Sequence, residues 1–141
     1  MDTRILLAGL AAGVAGFLLG WVLFGMLLMG YFEANMVRYE GLMKSETDMN
    51  LPVLFLGNVV SGLLVAWVCK GMGATNAISG LRTGAILGLL FNFALALSFY
   101  SMMNWYANTS VVMVDVLSNT VWMGVVGLVA GAVLGMGKKP A

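Results

Sequence analysis

Histidine is absent from this chain of 141 residues, cysteine occurs once, at Cys69, and there are only two prolines. Charge is scarce as well: 9% of the residues are Asp, Glu, Lys or Arg, against about 25% in an average soluble domain. Each shortage excludes something. Without histidine there is no imidazole for acid–base work, and the usual zinc ligand sets cannot be assembled. A lone cysteine rules out an internal disulfide. A formal net charge of +1 provides no basic footprint for nucleic acid. No nucleotide-binding, metal-binding or catalytic pattern is legible, so neither a cofactor nor a metal is expected, and the chain reads as non-enzymatic.

What the chain has in abundance is apolar surface: 61% of its residues are hydrophobic. A soluble domain of this length has too little interior to bury so much, and lipid is the solvent that tolerates it. A membrane helix requires about 20 mainly apolar residues. Four stretches qualify or come close: 5–29, 51–68, 81–103 and 112–136. None alternates with period 2, so they read as helices rather than barrel strands. The expected fold is all-α, an integral membrane four-helix bundle forming one domain over 1–141. The first apolar run is too long for a signal peptide, and it continues to Met29 with no small-residue cleavage site. It is expected to be a retained span.

Connections carry the remaining polarity. Asn50 and Pro52 suit the start of the second span, and Thr75 is a candidate cap for an early start of the third. Between the first two spans, Phe32, Met36, Tyr39 and Met43 recur at helical spacing, which predicts an amphipathic segment over 32–44. It is expected either to continue the first helix or to lie on the bilayer surface. Trp105 and Tyr106, in the turn before the last span, suit the headgroup layer. Arg4, Lys70, Arg82, Lys138 and Lys139 fall on one side of the membrane, and Arg38 and Lys44 on the other. The positive-inside rule then puts both termini in the cytoplasm, across what is expected to be a bacterial cytoplasmic membrane.

Apolar attraction cannot drive helices together in lipid, so close backbone approach and interhelical hydrogen bonds must. Gly80, Gly84 and Gly88 stand four apart on the third span, and Gly127, Gly131 and Gly135 four apart on the fourth. Gly16 and Gly20 belong to a similar ridge on the first. These ridges serve either packing within one bundle or self-association. Deep polar residues are few: Asn58 and Ser61, which share a helix face, then Asn92 and Asn119. They are either interhelical glue or markers of a path. Asp115 is the acid within a predicted span. About one turn inside it, roughly 6 Å deep at 1.5 Å per residue, it is read as a helix-start residue, a proton or cation site, or a partner contact. Twelve methionines, several on the side away from the termini, raise soft-metal binding, but without His or Cys beside them gap filling is the better account.

Three stretches carry a family resemblance. They are Gly20-Trp21-Val22-Leu23-Phe24-Gly25, Gly80-Leu81-Arg82-Thr83-Gly84 leading into an apolar run, and Val114-Asp115-Val116 before a polar pair and a Gly-rich end. They resemble a bacterial family of small four-span membrane proteins catalogued as a domain of unknown function. That resemblance implies a bundle and supplies no activity. Small multidrug exporters share length and span number but require an acid in the first helix, where 5–29 has none. Fluoride channels of similar size carry an early basic motif that is missing here. Two functions follow as expectations. The first is a structural or accessory subunit that docks on other membrane protein chains or on copies of itself. The second is an oligomeric permeation or transport protein using Asn58, Asn92, Asp115 and Asn119.

Overall fold

The computed structural model describes residues 2–137, and these form an all-α chain. Its elements are α1 (Thr3–Val22), a π-helical turn (Leu23–Leu27), α2 (Met29–Asn35), a 3-10 turn (Glu46–Asp48), α3 (Leu51–Gly71), α4 (Ala77–Met102) and α5 (Thr109–Gly135). Four helices are long and apolar enough to cross a membrane: Thr3–Leu27, Leu51–Gly71, Ala77–Met102 and Thr109–Gly135. The protein is therefore an integral membrane helical bundle. Its proximal end holds the start of α1, the α3–α4 turn and the end of α5. Its distal end holds residues 28–50 and the α4–α5 turn.

Each span starts at a polar side chain that satisfies an orphan amide of the first turn. Asp2 accepts from the Arg4 amide at 3.0 Å, and Asn50 from the Val53 amide at 3.1 Å, with Pro52 in the first turn. Asn108 does the same for Val111, also at 3.1 Å. At α4 the cap is Asn76, not Thr75: Asn76 and Ser79 form a reciprocal capping box. These caps lie outside the apolar runs, so α4 and α5 begin three or four residues earlier than hydropathy predicts.

The segment 32–44 departs furthest from its expectation. The first helix passes through the π turn, where the Leu28 amide reaches back to the Leu23 carbonyl at 2.8 Å. It bends at Leu28 and continues as α2 only to Asn35. Met36 is extended (φ −99°, ψ 144°), and residues 37–44 are non-helical. Tertiary pairing overrides the helical spacing here. Met36 forms an isolated antiparallel bridge with Tyr106. The Val37 amide donates to the Trp105 carbonyl at 2.9 Å, and the Ala107 amide to the Asn35 carbonyl at 3.1 Å. The Tyr39 hydroxyl donates to the Asn104 carbonyl at 2.8 Å. A strap after α2 is thus laced to the α4–α5 turn as a distal lid.

α5 is the centre of the bundle, packing against α1, α3 and α4, whereas α4 packs along α5 and only marginally on α3. Burial reflects this: in the most apolar stretch of each helix, 39% of residues are buried in α5 and 11% in α4. The main core joins Ile5, Ala8 and Ala12 to Val65, Ala66 and Cys69, and these to Val126, Ala130 and Leu134. A smaller distal core gathers Ala96, Tyr106, Val111, Val112 and Val116 under Tyr31, Met36 and Trp105.

Candidate functional site

Two glycine seams set the spacing of the helices that carry the deep polar groups. Along α4 and α5 the backbones touch. A Cβ on Gly80 would lie 2.9 Å from the Cα of Gly131, and one on Gly84 2.9 Å from the Cα of Gly127. A Cβ on Gly88 would lie 2.7 Å from Met123 Cβ, and one on Gly135 would strike the Thr75 carbonyl. The second seam joins α1 to α3, where a Cβ on Gly62 would lie 2.9 Å from the Cα of Gly13. Gly16 and Gly20 face α5 instead. They make room for the indole of Trp122, whose Nε1–H donates to the Gly16 carbonyl at 2.7 Å. All three ridges are occupied by other helices of the same chain.

The deep polar side chains fall into two groups. In the first, each closes on its own helix. Asn58 donates to the Leu54 carbonyl at 2.9 Å and Ser61 to the Gly57 carbonyl at 3.0 Å. Asn92 donates to the Gly88 carbonyl at 2.8 Å, with Met123 Sδ at 3.9 Å across the seam. All three are partly buried. Asn58 and Ser61 share a face, as their spacing implies, but each is satisfied without help from a second helix.

The second group is a cluster beneath the distal lid. Asp115 lies six residues beyond Thr109, about 9 Å along the axis. It is therefore not in the first turn of its helix, and the cap is Asn108. The Tyr106 hydroxyl donates to Asp115 Oδ2 at 2.6 Å, and Asn119 Nδ2 donates to Oδ1 at 3.0 Å. Asn119 also reaches the Asp115 carbonyl at 2.9 Å. Ser118, buried beside them, bonds the carbonyls of Val114 and Asp115. Both carboxylate oxygens are thus held, one from the turn and one from the helix itself. Tyr106 is 8% exposed. Burial, and then the adjoining Asp115 carboxylate, push its phenol well above the ordinary tyrosine range.

The structure therefore brings Asp115 and Asn119 together and sets Asn92 against the α4–α5 seam, while Asn58 and Ser61 lie on α3. Two residues that matter here are not distinguishable by composition or spacing. Tyr106 looks like a headgroup aromatic until the turn folds under the strap. Trp122 offered one signal: an indole N–H in mid-span requires an acceptor. Among the described residues no three His, Cys, Asp or Glu side chains converge. Two shallow recesses, of about 510 and 370 Å³, lie open at the proximal end.

Comparison with family models, with curated proteins and with solved structures returned no match. The likeness to the four-span family rests on the three quoted stretches alone.

Proposed function

We propose that this is a small non-enzymatic membrane subunit that docks on a larger membrane assembly or on copies of itself. The observation that supports it is the lopsided seating of α4. That helix leans almost wholly on α5, and its outer face presents Ile86, Leu90 and Leu97 together with Ser98 and Ser101. The glycine ridges are used up inside the chain, and α4 is the least buried of the four spans, so its outer face is the one assigned to a neighbour. The orientation belongs to the same reading. Arg4, Lys70 and Arg82 at the proximal end favour a cytoplasmic position in a bacterial inner membrane. Lys138 and Lys139 lie outside the described residues.

The permeation reading draws less support. The carboxylate of Asp115 is held on both oxygens, and Asn58, Ser61 and Asn92 are bonded to their own helices.

The test is to purify the native protein from its own membrane in a mild detergent and measure the mass and composition of the particle. A particle heavier than one 14.9 kDa chain with its detergent, and reduced to the single chain by Leu90→Trp, supports the proposal. Leu90 is 65% exposed, so lipid accommodates the larger ring where a protein neighbour would not. A single-chain particle that carries an ion flux abolished by Asp115→Asn overturns it in favour of permeation.

A further inference from the structure

We propose that the proximal end carries a binding site for an anionic phospholipid, with the headgroup phosphate at Arg82 and the acyl chains against Trp67, Met72 and Ile78. The two open recesses described above meet at Met72. The larger is walled by Trp67 and Val68 on the last turns of α3, and the smaller by Ile78, Arg82 and Thr83 on the first turns of α4. Trp67, Met72 and Ile78 are 63, 73 and 57% exposed. They lie where the spans end, at the level of the glycerol backbone and upper chains of a lipid, a depth where tryptophan is favoured.

Charge decides which lipid. Among the described residues Asp2 is the one acid at this end, and it forms an ion pair with Lys70 while accepting from the Arg4 amide. Arg82 is exposed and makes no ion pair or side-chain hydrogen bond with any described residue. A guanidinium at the headgroup layer, beside an apolar hollow, presents a planar fork of donors that matches phosphate oxygens. The distal end has the opposite balance: Arg38 and Lys44 stand among Glu33, Glu40, Glu46 and Asp48, with Arg38 paired to Glu33 at 2.9 Å. Anionic headgroups are favoured at one end of the molecule and repelled at the other. A soluble phosphate would use Arg82 but leave the apolar walls bare, which is why the ligand is assigned as a lipid.

The full chain, purified in detergent, would be titrated with phosphatidylglycerol and with phosphatidylcholine of the same acyl chains, and retained lipid counted by native mass spectrometry. Phosphatidylglycerol should be retained in preference. Arg82→Gln should lower its affinity about fivefold, the effect of one cation near an anionic surface, and Arg38→Gln should leave it unchanged. Brominated phosphatidylglycerol should quench a component of the tryptophan fluorescence that Trp67→Phe removes. All three substituted side chains are exposed, so the fold survives each change. Equal retention of the two lipids, or no effect of Arg82→Gln, overturns the proposal. So does quenching unaltered by Trp67→Phe. Displacement of the lipid by millimolar glycerol phosphate would reassign the hollow to soluble phosphates.

Discussion

The hydroxyl of Tyr106 meets Oδ2 of Asp115 at 2.6 Å, and this contact pins the α4–α5 turn to the helix that follows it. The distal strap then hangs on the pinned turn through the Val37, Ala107 and Tyr39 hydrogen bonds. Tyr106→Phe leaves Oδ2 without its donor in a largely buried setting. Bonds to a charged acceptor contribute about 1.5–3 kcal/mol, so the loss should lower unfolding stability by that order. Hydrogen exchange at the amides of Val37 and Ala107 should accelerate in parallel. Normal protection of those two amides in the variant would show that the strap is held independently of the cluster.

The same phenol predicts an alkaline limit. Its folded pKa is raised, so above the ordinary tyrosine value of about 10 the unfolded chain releases a proton that the folded chain keeps. The unfolded state then binds fewer protons, and stability falls as pH rises. The contribution is complete below pH 10 and drains away above it. Melting curves from pH 8 to 11.5 should show a decline that Tyr106→Phe lessens; equal slopes in the two proteins would refute the assignment.

At the proximal end the sign is reversed. The hydrogen bond from Lys70, aided by the Arg4 amide, holds the Asp2 carboxyl below the usual aspartate range. Its contribution is present above the unfolded aspartate value of about 4 and is lost as pH falls through the lower folded one. Asp2 is exposed, so the effect is small and salt-sensitive. Asp2→Asn should remove a shallow acid-side dependence of melting at low ionic strength and have no effect in high salt.

Trp122 binds α5 to α1 through the Gly16 carbonyl. Trp122→Phe keeps most of the ring contact and deletes the donor. Interhelical hydrogen bonds in membranes are worth about 0.6–2 kcal/mol, and a loss within that range is expected by unfolding in mixed micelles. A stability equal to wild type would mean that ring packing alone sets this crossing.

The seams give a paired test. Gly127→Ala places a methyl 2.8 Å from the Cα of Gly84 and against the Gly80 carbonyl, so α4 must move. Overpacking of this kind costs about 1–3 kcal/mol. Gly57 on α3 has nothing within 4 Å of its would-be Cβ, and Gly57→Ala should be neutral or gain about 0.5–1 kcal/mol from helix propensity. Gly131→Leu, which a self-association ridge would make an assembly mutant, should instead disrupt the chain's own α4–α5 pair. Inserted, normally melting protein after that change would contradict the seam.

Hydropathy determined the spans because lipid demands long apolar runs and allows only a structure that satisfies its own backbone. The four runs, their helicity and the glycine spacing are all legible residue by residue. Helix starts were less so, since Asn76 and Asn108 are polar caps outside the runs they begin. Three matters were decided only in the folded chain. The periodic stretch after α2 leaves the helix at Met36 because the α4–α5 turn offers it backbone partners. Asp115 is a half-buried carboxylate held on both oxygens rather than a helix-start residue, because Tyr106, nine residues before it, folds back over it. The glycine ridges of α4 and α5 pack against each other within one chain because their backbones approach face to face. Spacing along one helix states which face is smooth; which neighbour meets that face depends on crossings that no single helix encodes.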